Sequence, residues 1–497
     1  MTVEASVGRQ PGPFSPLPPL SAEAARSEAE RCLYCHEAAC TDACPAHIDV
    51  PAFIRKIATG NVDGAARTIL ASNPLGATCG AACPVERLCE GACVRTALDR
   101  PIAIGRLQRH AVEAYGTTGE AYFAPAEEAP VSAAIVGAGP AGLACAAELR
   151  RAGVAVTLYE AGARAGGLGD HGIVPWRLPR EVVAADVEQI ERAGARFRLG
   201  TRVGRDVDPD TLLAEHDVVV VAVGLGRGRR LGIPGEELDG VVDALDLIAQ
   251  AIRPTNDGPT VGRRVGVIGG GSTAFDAAAA AVRLGAAEVT LFYRRSDVEC
   301  PAYPHAIELA RSLGVSVRWL TAPVEIRGDG GHVAGVAFEE MTLGEPDASG
   351  RRRPVPVDGS RLEVMLDTVI RAVGQDAPDG LRELLDAFGI AVRDGRLVTD
   401  PATGRTANQR VWAIGDIANG GREVVNAVEA GKLAARSMIE GLGLGGPRIV
   451  PARPTDATVK GIDLFTDLAG IRGPNPFWLA SCPITNTGEM VARAFDA

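Results

Sequence analysis

The sequence predicts an α/β chain in which a helical, cysteine-rich domain precedes two nucleotide-binding units. Three observations lead there. Eight of the eleven cysteines lie between Cys32 and Cys93. Gly137-Ala-Gly139-Pro140-Ala141-Gly142 follows an apolar run and opens a helical pattern. The same strand, glycine turn, helix and strand return from Arg264, with Gly269-Gly270-Gly271-Ser272-Thr273-Ala274 as the turn. Two copies of one βαβ plan are the mark of a doubly wound, Rossmann-like setting.

Composition narrows the classes. A length of 497 residues suggests about three domains. A net charge of −11 argues against nucleic acid or an anionic membrane as the main partner. Residues 1–20 carry no apolar core behind basic residues, so no secretory signal is expected; their Pro and Gly predict a flexible tail. No apolar run reaches the roughly 18 residues of a membrane span. Without a secretory signal a reducing cytoplasm is the expected compartment, where cysteines bind metal rather than pair as disulfides. Of the 51 Lys and Arg, only Lys56, Lys432 and Lys460 are lysines. A single arginine therefore carries little weight as a signal.

Taken in order, residues 21–128 read as short helices. SAEAARSEAERCLYC starts with Ser21 as an N-cap, and DVPAFIRKIATGNVDGAARTIL has the spacing of two helices broken at Gly60-Asn61. After the Ala124–Pro130 linker, VSAAIVGAGPAGLACAAELRRAGVAVTLYEAG is strand, turn, helix and strand. Its first glycine permits the tight turn, its second admits a pyrophosphate to the backbone, and its third lets helix pack on strand. The helix N-terminus favours the anion. Glu160 ends the second strand, where a carboxylate can accept ribose hydroxyls.

This copy resembles the FAD site of two-dinucleotide-binding flavoproteins, on Gly166-Gly167-Leu168 and Gly415-Asp416 as well as the turn. The resemblance implies FAD held by Gly137, Gly139, Pro140, Ala141, Gly142, Glu160, Gly167, Leu168, Arg177, Val203, Gly415 and Asp416. It also implies a discontinuous FAD domain over 129–257 and 373–450, interrupted by an NAD(P)H domain over 258–372.

The second turn has Ala274 for its third glycine, which the pattern allows. Its second strand ends in Tyr293-Arg294-Arg295, where an acid would repel a 2′-phosphate and arginine would pair with it. NADPH is thus favoured over NADH, with Gly269, Gly270, Gly271, Ser272, Thr273, Arg294, Arg295, Ala372 and Gly374 as its expected contacts.

Many such flavoproteins reduce a disulfide, but GGLGDHGIVPWRLPR holds no cysteine, and Cys145 and Cys300 stand singly as small packing residues. Electrons must leave otherwise, and the cysteine crowd is the exit. Zinc would close two structural sites and carry no electrons. Iron–sulfur clusters use thiolates too, often with a Cys-Pro step, as at Cys44-Pro45 and Cys83-Pro84.

The chain as a whole resembles the glutamate synthase small-subunit-like family, and within it the N-terminal part of dihydropyrimidine dehydrogenase. The motifs are RCLYC…CTDACP, HIDVPAFI, NPLGATCGAACP, CEGACV and PIAIGRLQ, both glycine turns and their order. The resemblance implies two interleaved [4Fe-4S] clusters. Cys32, Cys35, Cys40 and Cys93 would hold one; Cys44, Cys83, Cys89 and Gln108 the other, with Cys79 left over. Residues 451–497 resemble a linker and the first βα unit of an FMN-type barrel, with Ser481 at an FMN contact. One βα unit cannot close a barrel of eight. The expected activity is therefore electron input: NAD(P)H to FAD to clusters to an FMN-bearing, pyrimidine-reducing subunit or missing C-terminal domain. A homodimer is implied by the family, no acid or base catalyst is assigned, and a glutamate synthase small subunit is the alternative.

Overall fold

A computed structural model describes residue 14 and residues 18–444, apart from 119–121, 124–126, 254, 256–257, 348–349 and 394–395. Beyond these it describes the backbone of four short strands between 458 and 473, paired as two antiparallel hairpins. The helix expected for the barrel unit, with Ser481 and Cys482, lies outside the described residues. Among the described residues no helix is long and apolar enough to cross a membrane.

The chain divides into two compact units. One comprises Pro19–Ala165, Val182–Ala222 and Leu384–Ala497. Its helical part runs through Ala22–Glu30, Ala39–Asp42, Val50–Ala58, Val62–Ser72, Gly76–Ala82 and Ile104–Gly116. Ser21, Asp49 and Asn61 cap three of these helices, each accepting a backbone N–H that the first turn would otherwise leave orphaned. The break expected at Gly60-Asn61 is present, with Gly60 at φ +82° ending one helix and Asn61 starting the next.

The parallel sheet of this unit has the order Val411–Ala413, Val218–Val221, Ser132–Val136, Ala155–Tyr159, Arg196–Arg198. The strand before the glycine turn is central, and the connections leave it in opposite directions. That reversal opens a crevice at the strand's carboxyl end, where ligands of such sheets bind. The helix Pro140–Arg151 is buried from Ala141 to its end. Gly431 of the helix Val424–Gly441 explains why: a Cβ there would lie 2.3 Å from the Ala141 carbonyl, so only glycine permits the approach. Arg151 then donates to the Leu70 and Ala71 carbonyls, tying this helix to the cysteine-rich part.

The other unit comprises Met1–Pro18, Gly166–Glu181 and Val223–Glu383. Its sheet repeats the order: Val241–Asp243, Thr368–Arg371, Arg264–Ile268, Glu288–Phe292, Ser316–Arg318, all parallel. An antiparallel sheet over Thr321–Val364 is attached to it. The boundaries expected at 257/258 and 372/373 shift accordingly. Val241–Asp243 hydrogen-bonds to Thr368–Arg371, so the second unit recruits a strand that precedes its own glycine turn. Phe14, in the expected tail, packs edge-on against Trp176, with ring centroids 5.0 Å apart.

Candidate functional site

The first glycine turn closes around Glu160. Gly137 has φ +105°, and its N–H donates to the Tyr159 carbonyl. Ala138 and Gly162 donate backbone N–H to the two Glu160 oxygens at 2.9 and 2.7 Å. A Cβ at Gly142 would stand 2.1 Å from the Gly137 carbonyl. The helix Pro140–Arg151 starts at Gly139 with no side-chain cap, so its first N–H groups face the crevice as an anion cradle. Gly415, at φ +72°, lies against Ala141, whose methyl a Cβ would meet at 2.9 Å. The structure thus joins two motifs distant in sequence. Asp416 follows, its carboxyl raised by burial and lowered in part by the Arg422 N–H. Val203 is buried in the loop that Thr201 bonds to the Glu160 carbonyl. Glycines that only a close approach requires, with a carboxylate at the strand end, fit a dinucleotide such as FAD. Gly167, Leu168 and Arg177 belong to the other compact unit, where Arg177 donates to buried Asp276 at 3.1 Å.

The second turn is built differently. A Cβ at Gly269 would meet the Ala372 carbonyl at 2.2 Å, and one at Gly270 the Tyr293 ring at 2.4 Å. Ala372 therefore sits at the turn, and Gly374 bonds through its carbonyl to the Arg229 N–H. Ser272 starts the helix beside Thr273, and its hydroxyl accepts the Tyr303 N–H. Arg294 is exposed. Arg295 is not available beside it: buried, it donates to Asp347 at 2.7 Å and to the Arg352 carbonyl at 2.8 Å.

The cysteines gather in two basins. Cys32, Cys35, Cys40 and Cys93 line one cavity with Leu33, Ile54 and Val94. Burial pushes the Cys40 thiol up to about 11, with Cys93 and Cys32 adding to it. Among the described residues no three His, Cys, Asp or Glu converge on a single ion. Cys32 lies near Cys35 and Cys93, and Cys40 near Cys93 and Cys32. In the second basin the Cys83 thiol is raised by its hydrogen bond with Cys79, by burial, and by Cys89 and Cys44. Burial raises Cys44 as well, while N–H groups of Ile48 and Ala46 and the charge of Lys432 pull the other way. Thiols held protonated in this way release protons when metal binds.

Two carboxylates set the helix that carries Gln108. Glu28 accepts the Ala103 N–H at 2.9 Å and Glu90 the Gly105 N–H at 3.0 Å, satisfying orphan donors of Ile104–Gly116. Gln108 is buried, and its Nε2 donates to the Gly76 carbonyl at 2.7 Å. Gly80 lets this helix approach the one bearing Cys79, since a Cβ would lie 3.1 Å from the Arg109 nitrogen. The residue that sequence reasoning missed is Lys432, whose Nζ donates to the Ala46 carbonyl at 2.9 Å. Its rarity as a lysine was the available signal.

Glycine turns on two doubly wound sheets, together with basins of thiols, define a flavin and iron–sulfur oxidoreductase of the pyridine-nucleotide class. Residues 131–431 match the pyridine nucleotide-disulphide oxidoreductase family, and residues 16–119 match dihydropyrimidine dehydrogenase domain II, 4Fe-4S cluster. The glutamate synthase [NADPH] small chain of Escherichia coli strain K12 is 35% identical over 438 residues, 85% of this chain and 93% of its own length. The NAD-dependent dihydropyrimidine dehydrogenase subunit PreT of the same organism is 36% identical over 421 residues, 85% of this chain and 95% of its own. Among solved structures, Mycobacterium tuberculosis FprA in complex with NADPH superposes with a TM-score of 0.53 at 22% identity, covering 63% of this chain and 85% of that one. This likeness supports the fold. The chain belongs to the pyridine nucleotide-disulphide oxidoreductase family, in the branch that carries a 4Fe-4S domain and includes glutamate synthase small chains and PreT.

Proposed function

We propose that this electron-transfer oxidoreductase is the input subunit of a dihydropyrimidine dehydrogenase-type enzyme. Bound FAD would take a hydride from NADPH, or from NADH, and two [4Fe-4S] clusters would carry single electrons to a partner's FMN, where a pyrimidine is reduced. The chain's own residues bind and tune. Gly137, Gly139 and Gly142 admit a pyrophosphate, Glu160 orients a ribose, and Arg294 offers a cation to a 2′-phosphate. Cys32, Cys35, Cys40 and Cys93 form one ligand set; Cys44, Cys83, Cys89 and the Gln108 oxygen form the other, with Cys79 a neighbour hydrogen-bonded to Cys83.

The observation that carries this reading is the gathering of Cys93 with Cys32, Cys35 and Cys40 around one cavity. Sequence order would have placed Cys93 with the later block. The remaining cysteines, Cys145, Cys300 and Cys482, stand singly, so the cysteine blocks are the outlet for electrons. The glutamate synthase small chain is the second reading, supported by the 35% identity over 93% of that relative. The PIAIGRLQ resemblance implies a Glu at the Gln108 position in glutamate synthase relatives, so Gln108 supports the pyrimidine reading.

The test is the loaded chain with NADPH or NADH and ferricyanide, then uracil with and without an FMN-bearing partner. Ferricyanide reduction by the chain alone, and uracil reduction only with the partner, is the expected result. Uracil reduction by the lone chain, or no ferricyanide reduction, overturns it. Activity restored only by a glutamate synthase large subunit selects the second reading.

A further inference from the structure

Lys432 is one of three lysines in a chain whose other 48 basic residues are arginines. It projects from the helix Val424–Gly441, and its side chain is 3% exposed. Its ammonium donates to the Ala46 carbonyl at 2.9 Å and to Glu429 at 2.7 Å. Ala46 lies two residues past Cys44, and the N–H groups of Ala46 and Ile48 are directed at the Cys44 sulfur. His47, between them, holds φ +52°, so the turn is a specific conformation that needs an anchor. A guanidinium is a broad planar fork, whereas an ammonium is a compact charge that fits one carbonyl and one carboxylate. Glu429 is more exposed than Lys432, its side chain at 17%, so solvent screens the anion more than the cation.

We infer that Lys432 is a positioning residue for the cluster bound through Cys44, holding the Cys44–Ile48 turn and raising that cluster's reduction potential. The inference rests on the ligand assignment proposed above. Reduction adds one negative charge to a cluster, and a buried cation stabilises the reduced state more than the oxidised one. Backbone N–H groups on a ligand sulfur act in the same direction, and Lys432 keeps them in place through Ala46.

The test is an EPR-monitored redox titration of the anaerobically loaded full chain, with iron content measured in parallel. Lys432→Met, of similar length and no charge, is expected to keep its iron. Its reduced-to-oxidised ratio at fixed potential should fall about tenfold for one cluster, a shift of about 59 mV for one electron. The other cluster should not move. Glu429→Gln removes the opposing charge and is expected to shift the same cluster upward by a smaller amount. Both potentials unchanged in Lys432→Met, or both clusters lowered equally, overturns the inference. If Lys432→Met loses iron, Glu429→Gln decides, and an unchanged or lowered potential there overturns it. Cys44→Ser separates the two levels. Full iron and both signals in that variant remove the ligand assignment, and this inference with it. Loss of one cluster in Cys44→Ser, with Lys432→Met unshifted, leaves the assignment standing and sinks the inference alone.

Discussion

In the first unit the strand Ala155–Tyr159 ends in Glu160, whose two oxygens accept N–H from Ala138 and Gly162. In the second the strand Glu288–Phe292 ends in Tyr293, against which Gly270 lies, and in exposed Arg294. Both strands occupy the same place in sheets of the same order. The wiring is shared, and the chemistry is set by a few residues at one strand end. Tightness moves as well. In the first unit it sits at Gly142, 2.1 Å from a carbonyl once a Cβ is added; in the second Ala274 is tolerated at that position, fully buried. There the close approach is made by Gly269 to Ala372 and by Gly270 to Tyr293.

The comparison breaks most visibly at the third position. Gly142→Val should destabilise the first unit by about 3 kcal/mol or more, since backbone rather than a flexible side chain must yield. Flavin-to-protein ratio and thermal denaturation measure this, and full flavin content would contradict it. Ala274→Gly, its counterpart, should cost only about 1 kcal/mol from helix propensity. Arg295→Ala comes next. It removes the 2.7 Å pair with Asp347 and the bond to the Arg352 carbonyl, and should cost about 2 kcal/mol in denaturant unfolding while leaving the NADPH-to-NADH preference in place. A changed preference would return Arg295 to the cofactor. Glu160→Gln should weaken FAD binding about tenfold, measured by flavin dissociation, because an amide cannot accept through both atoms. Arg294→Glu should move stability by no more than about 0.5 kcal/mol yet lower kcat/KM for NADPH about tenfold relative to NADH. Equal ratios before and after would remove Arg294 from the 2′-phosphate.

What could be read ahead of the structure was local. Gly137, Gly142, Gly269 and the break at Gly60-Asn61 announce themselves within a few residues, because turn and helix signals act over that range. What could not be read depends on distant partners. Val241–Asp243 looks like part of the first unit by order, and its pairing with Thr368–Arg371 reassigns it. Arg295 has the same surroundings in sequence as Arg294, yet Asp347 takes it out of solvent. The association of Cys93 with the first cysteine block follows from family likeness rather than spacing; those four residues line one cavity.

The edge of the first sheet is completed by Val411–Ala413, which the chain supplies long after its neighbour Val218–Val221. Translation turns that order into time. At about 5–20 residues per second, Lys432 follows Cys44 out of the ribosome by about 20–80 s. Through that interval the thiols have helices around them but neither the completed sheet nor the Ala46 anchor. Iron delivered early would meet a half-built cradle. Loading is therefore expected to follow chain completion, and pulse-labelled iron should appear in full-length chains and not in chains stalled at residue 400.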